Sequence, residues 1–131
     1  MEKNGTTRSL FELTGKVALV TGASKGIGET IAHALAEYGA SVVVSSRKQE
    51  AVDSVAQQIK SRGFEATAIA ANMGRMEQAE ALVDSAVSEY GALDIIVNNA
   101  ATNPVYGSID QTDSGAFDKI IDVNLKGPLM L

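Results

Sequence analysis

Short uninterrupted apolar runs alternate along this chain with longer segments whose apolar residues recur every three or four positions. Residues 16–20, K-V-A-L-V, are the first run, closed by Thr21 and Gly22. A run of that length before turn residues predicts a strand buried on both faces. Ile27, Ile31, Ala34, Leu35 and Tyr38 follow at helical spacing, and Gly39 is placed to stop the helix. The alternation then repeats. Residues 40–45 predict a second strand, and Ala51, Val52, Val55, Ala56 and Ile59 a second helix ended by Gly63. Residues 65–71 predict a third, weaker strand. Ala79, Leu82, Val83, Ala86, Val87 and Tyr90 make a third helical stripe, stopped by Gly91. Residues 93–97 predict a fourth strand, and residues 98–111, with Pro104 and Gly107, a loop. Thr112 is placed to cap a last helix carrying Phe117, Ile120, Ile121 and Leu125, whose pattern Gly127 and Pro128 interrupt.

The order is β-α-β-α-β-α-β-α. Apolar strands separated by amphipathic helices imply a parallel sheet with helices on both faces and right-handed crossovers, an α/β fold. The 131 residues suffice for one compact domain. Residues 1–12 read as a loose arm and residues 13–131 as the domain. Hydrophobic residues are 45% and charged residues 21%, which excludes a disordered chain. With 11 Lys and Arg against 16 Asp and Glu, the net charge is −5. An acidic chain lacks the footprint of a nucleic-acid binder and the cationic face of a protein held on anionic lipid. There is no cysteine and one histidine, so no disulfide, thiolate zinc site, cysteine nucleophile or multi-histidine metal site is expected. Residues 1–13 hold no apolar stretch of signal-peptide length, and no run approaches the roughly 20 residues that cross a bilayer. A cytoplasmic setting is the expectation.

The chemistry begins at residues 21–28, T-G-A-S-K-G-I-G, directly after the first strand and at the start of the first helix. Gly22 permits a sharp turn, Gly26 removes a side chain where a pyrophosphate must approach, and Gly28 allows close helix packing. The free N–H groups of the first helical turn, at the positive end of the helix dipole, then face an anion. The spacing is neither G-x-G-x-x-G nor that of a P-loop. It resembles the G-x-x-x-G-x-G of the short-chain dehydrogenase/reductase family. N-N-A-A at 98–101 resembles that family's N-N-A-G, and D-V-N-L-K-G at 122–127 its segment with the catalytic asparagine. S-S-R-K-Q-E at 45–50, N-M-G at 72–74 and N-A-A-T-N-P at 99–104 are similar to the carbonyl- and retinal-reductase branch.

The resemblance runs from about Leu13 to Leu131. It implies a Rossmann-type doubly wound sheet with strands 1–4 present. It also implies a cofactor site of Gly22, Ser24, Lys25, Gly26, Ile27, Gly28, Ser46, Arg47, Lys48, Asn72, Met73, Asn98 and Ala100, with Asn124 as a catalytic residue positioning a water. Ala101 and Asn72 depart from the family's glycine and aspartate; an amide at 72 still donates to or accepts from an adenine edge. The family's Tyr-x-x-x-Lys is absent: Tyr38, Tyr90 and Tyr106 have Val42, Asp94 and Asp110 four residues on.

The residue ending the second strand selects the nucleotide. NAD-preferring folds carry an acid there for the ribose hydroxyls. Here Ser46 stands at that place, followed by Arg47 and Lys48, so no carboxylate repels a 2′-phosphate. Arg47 offers it a bidentate contact and Lys25 a second cation, so NADP(H) is preferred and NAD(H) remains open. His33, Asp110, Asp113, Asp118 and Asp122 read as surface, loop and cap residues, Met76 as a neighbour of the third strand's exit, and Tyr90 as core.

The resulting expectation is an NADP(H)-dependent short-chain oxidoreductase interconverting a small-molecule alcohol and carbonyl by hydride transfer, here as its N-terminal, cofactor-binding half. The full-length protein is expected to be a homo-oligomer, without nucleic acid or membrane as partner. The alternative is a non-catalytic dinucleotide-binding module.

Overall fold

In the computed structural model, which describes residues 7–131, four parallel strands form one sheet in the order β3-β2-β1-β4. They are β1 (Val17–Thr21), β2 (Ser41–Ser45), β3 (Ala66–Ala68) and β4 (Ile95–Val97). The helices are α1 (Thr7–Leu10), α2 (Gly26–Glu37), α3 (Gln49–Ser61), α4 (Met76–Tyr90), α5 (Ser114–Ile121) and α6 (Gly127–Met130). Part of the expected N-terminal arm is thus one helical turn, and residues 1–6 lie outside the described residues.

The apolar runs of β1 and β2 are continuous because both faces of these strands are covered. Ala18 and Val20 of β1, with Val42 and Val44 of β2, pack under α2 and α3 against Ala32, Ala36, Val52, Val55 and Ile59. Leu19 and Val43 face the other way, onto Ala71, Met73, Ala79, Leu82 and Ala86 on α4 and the chain before it. In β1 and β2 the register pairs Val17 with Ser41 and Thr21 with Ser45. The chain steps outward from β1 to β2 to β3, then crosses back to place β4 on the other side of β1. That reversal opens a crevice at the carboxyl ends of β1 and β4, where open α/β sheets bind ligands.

Three elements differ from the sequence expectation. The third strand is short, but Val42 N–H donates to Glu65 O, and beyond the strand Ile69 N–H donates to Val44 O and Ala71 N–H to Ser46 O. Residues 65–71 therefore run beside β2 as expected, with regular pairing only in the middle. The last helix is capped by Asp113, not Thr112: Asp113 Oδ1 accepts from Ala116 N–H at 2.7 Å. A carboxylate at the helix start outcompetes a hydroxyl one residue earlier. Gly127 and Pro128 do not end the helix. A π-helical segment, Asp122–Lys126, precedes them, with Gly127 N–H donating to Asp122 O, and α6 continues with Pro128 in its first turn. Pro128 thus stands directly after the widened turn rather than within a regular α-helical run.

Candidate functional site

A cleft of about 990 Å³ lies across the carboxyl edge of the sheet. Its walls come from the exits of all four strands: Gly22 and Ser24–Ile27 after β1, Ser45–Arg47 at β2, Ala71–Arg75 after β3, and Asn99–Thr102 after β4. Gly115, Asp118, Lys119, Asp122 and Val123 close it on the α5 side.

The glycine loop is set by Thr21 and Asn99. Thr21 is buried at the end of β1; its Oγ1 donates to Val97 O at 3.3 Å and accepts from the N–H groups of Asn99 (3.2 Å) and Ala100 (3.1 Å). Asn99 Nδ2 donates back to Thr21 O and Gly22 O, each at 3.1 Å. These bonds clamp the β1 exit to the β4 exit. A side chain on Gly28 would run into Gly22 O and Asn99 Nδ2, so this glycine lets the first turn of α2 lie close against the β1 exit and the clamp. Gly26 differs from the expectation, which gave it only a spatial role. Its φ is +61°, in the left-handed region that disfavours any Cβ, and a Cβ there would meet nothing within 4 Å. The backbone at Gly26 thus borders open space in the cleft, the condition for an anion to approach it.

The β2-exit wall of the cleft carries a cation, Arg47. Ser46 is half-buried and Arg47 exposed, with no acidic side chain among the β2-exit residues of the cleft. Ala71 N–H donates to Ser46 O at 2.9 Å, which sets the β3 exit beside the β2 exit. Asn72 Oδ1 accepts from Gly74 N–H at 2.9 Å, and Asn72 N–H donates to Gln78 Oε1 at 2.8 Å. With that oxygen engaged, Asn72 keeps its Nδ2 donors at the cleft. Met73 is buried in the second core cluster and borders the cleft, so packing and site lining coincide. Among the described residues, Ser45 Oγ is the one buried side-chain oxygen or nitrogen without a hydrogen-bond partner.

Asn124 lies in the π-helical segment, and both ends of its amide are committed. Its Oδ1 accepts from Thr102 N–H at 2.7 Å and its Nδ2 donates to Thr102 O at 2.9 Å. The side chain holds the β4–α5 loop in place. Gly127 packs against a different segment, the chain after β3, since a Cβ there would strike Met73 O.

Of the residues singled out from sequence, Gly22, Ser24, Lys25, Gly26, Ile27, Ser46, Arg47, Asn72, Met73 and Ala100 line the cleft. Gly28, Lys48, Asn98 and Asn124 stand outside its lining. Asn99, Ser45 and Arg75 were not anticipated. Asn98 and Asn99 are identical neighbours in sequence, and only the structure shows which one carries the clamp.

Away from the cleft, Arg62 Nη1 meets His33 Nδ1 at 2.8 Å and also pairs with Glu37. Tyr90 is half-buried rather than core. Its hydroxyl bonds with Thr67 Oγ1 at 2.8 Å and donates to Glu65 Oε1 at 3.1 Å. Burial pushes its phenol up to about 12, with the Glu65 carboxylate adding to the shift. Among the described residues no cluster of three or more His, Cys, Asp or Glu could hold a metal, and no helix is long and apolar enough to cross a membrane.

The comparisons with known proteins agree with this geometry. The family model of the short chain dehydrogenases matches residues 16–131. Dehydrogenase/reductase SDR family member 4 of Homo sapiens is 44% identical over the whole chain, which covers 47% of that protein. A metagenomic short-chain oxidoreductase solved in complex with NADP superposes with a TM-score of 0.86 at 36% identity, over 91% of this chain and 54% of that one. A metagenomic blue fluorescent protein solved with NADPH gives a TM-score of 0.85 at 29% identity, over 91% of this chain and 49% of that one. The chain spans about half the length of the curated relatives it matches. With its fold, glycine loop and family match in accord, the chain belongs to the short-chain dehydrogenase family of oxidoreductases.

Proposed function

We propose that this protein is a cytoplasmic, NADP(H)-dependent oxidoreductase that interconverts a small-molecule alcohol and its carbonyl compound. This 131-residue chain would hold the cofactor, and the full-length protein would be a homo-oligomer. The observation that carries the reading is the cleft at the sheet reversal, with Gly26 bordering open space and Lys25 and Arg47 on its walls.

The residues present fit a dinucleotide. Gly22 and Gly26, which carry no side chain, with the backbone of Ser24 and Ile27, would face the pyrophosphate at the start of α2, where the helix dipole favours an anion. Gly28 would act through the shape of that loop. Ser46, Arg47 and Lys25 would take an adenosine 2′-phosphate, with Lys48 beside them as added positive charge. Asn72 and Met73 would meet the adenine, and Ala100, with Asn98 next to the clamp, the ribose and nicotinamide side. When bound, the nicotinamide supplies the hydride chemistry. Asn124 serves that chemistry as a positioning residue, since its amide fixes Thr102 and hence the loop on the substrate side of the cleft. The chain contains no Tyr-x-x-x-Lys, so the proton-transfer groups of the family mechanism are not among these residues. NADPH binding without carbonyl reduction by the full-length protein would favour a non-catalytic dinucleotide-binding module.

The test is a fluorescence titration with NADPH and NADH of the parent protein and of Arg47→Asp. NADPH is expected to bind the parent about ten- to a hundredfold tighter than NADH, the worth of a charged hydrogen bond. Arg47→Asp is expected to remove that preference. Equal affinities in the parent, or an unchanged preference in the variant, would overturn the reading.

A further inference from the structure

Asn72 follows the exit of β3 and lines the cleft half-buried. An asparagine has four polar groups, two in the backbone and two in the side-chain amide. Three of these are committed to its own loop. The backbone N–H donates to Gln78 Oε1 at 2.8 Å, the carbonyl accepts from Arg75 N–H at 3.0 Å, and Oδ1 accepts from Gly74 N–H at 2.9 Å. A Cβ on Gly74 would stand 3.2 Å from the same Oδ1, so this oxygen is turned back onto the loop. A backbone N–H can only donate, so the bond from Gly74 also fixes which end of the amide is oxygen. The fourth group, Nδ2, has no hydrogen-bond partner among the described residues. A donor is therefore the group that Asn72 leaves for the cleft.

The surroundings of this donor suit a flat ring. Ala71 and Met73 flank Asn72 in the chain, Val123 stands beside Gly74, and all three line the cleft. A few polar groups among apolar walls is the usual lining of a small-molecule site. Ala71 N–H donates to Ser46 O, which sets this patch next to the β2 exit, where dinucleotide folds hold the adenosine ribose.

We propose that Asn72 sets the base specificity of the site, and that its donor admits a 6-oxopurine dinucleotide, with hypoxanthine in place of adenine, nearly as well as NADP(H). This rests on the reading of the cleft as an NADP(H) site. The 6-amino group of adenine donates, and the ring nitrogens on either side of it, N1 and N7, accept. A donor at Nδ2 cannot pair with the amino group and is left with a ring nitrogen. In hypoxanthine the 6-position is a carbonyl, so the same donor finds an acceptor on either edge. An acceptor in place of Nδ2 would act oppositely, bonding the amino group and repelling the carbonyl.

The test is the dissociation constant of the full-length protein for NADPH, for NADH and for the hypoxanthine analogue of NADPH. It is measured for the parent and for Asn72→Asp, with the thermal midpoint of each in the absence of cofactor. The substitution exchanges Nδ2 for oxygen and keeps an oxygen for Gly74 N–H, so the midpoint is expected within about 4 °C of the parent's. The parent is expected to bind NADPH and its hypoxanthine analogue within about fivefold of each other, the net worth of a neutral hydrogen bond. Asn72→Asp is expected to favour NADPH over the analogue by about ten- to a hundredfold, the worth of a bond to a charged acceptor. Both probes carry the 2′-phosphate, so the added charge cancels in their ratio. A parent that rejects the analogue by more than about fivefold, or a variant whose ratio shifts by less than that, would overturn the inference while the preference for NADPH over NADH stood. The parent's ratio decides the matter alone if the variant does not fold. A parent without preference for NADPH over NADH would overturn the proposed function and this inference together.

Discussion

The carboxyl edges of β1, β2 and β3 and the start of α5 solve the same problem in opposite ways. Every helix start leaves backbone N–H groups without partners. At α5 the protein satisfies one internally, through Asp113. At α2, α3 and α4 it places Lys25, Lys48 and Arg75 there and satisfies none by a side-chain cap. The first arrangement serves stability. The second leaves donors and charge unspent on one side of a cleft, a local inconsistency of the kind expected where a ligand completes the structure.

The harshest way to break this comparison is to disturb the clamp that shapes the cationic edge. Gly28→Val would drive a side chain into Gly22 O and Asn99 Nδ2. A loss of more than about 3 kcal/mol is expected by denaturant titration, the scale of steric disruption in a packed interior. Stability within 1 kcal/mol of the parent, roughly the ordinary cost of a point change, would mean the loop re-forms without the clamp.

A gentler change sharpens the contrast. Asp113→Ala should cost about 1 kcal/mol of stability, the usual worth of an N-cap side chain. NADPH affinity should stay at the parent value, because Asp113 is outside the cleft lining. Thermal melts and a cofactor titration on the same preparation check both halves.

The smallest effect concerns pH. The Tyr90 phenol is held near 12 in the fold, against an ordinary 10.0 when unfolded. The native state therefore holds its proton longer than the unfolded state. Its contribution is complete below pH 10 and is lost as pH rises from about 10 to about 12. Tyr90→Phe should flatten that part of the stability curve, and an unaltered slope would assign it to other groups.

What could be read from sequence follows how strongly burial constrains each residue. β1 and β2 are legible because both faces are packed, which forces unbroken apolar runs such as 41–45 with four buried residues. β4 is less so. Its regular pairing starts at Ile95, and the residue before it already meets β1 twice: Asp94 N–H donates to Val17 O and its carboxylate accepts from Val17 N–H, each at 2.9 Å. α5 is weaker still: it buries none of its residues, and Phe117 is exposed. Its apolar spacing still marked a helix, but not the cap or the π-helical segment. A widened turn leaves no mark on composition, and Gly127 beside Pro128 reads most simply as a stop. The glycine loop was visible because Gly26 and Gly28 answer local geometric demands. Arg75 passed unnoticed inside a polar turn. The available signal was positional: a basic residue where the start of an amphipathic helix calls for Ser, Thr, Asp or Asn, repeated at Lys25 and Lys48.

A crystal structure of the protein with NADP⁺ tests the central claim most directly. The pyrophosphate is expected over the Gly26 backbone at the start of α2. The 2′-phosphate is expected within hydrogen-bond reach of the Arg47 guanidinium group. A dinucleotide bound outside this cleft, or bound within it with the 2′-phosphate turned away from Arg47 into solvent, would contradict it.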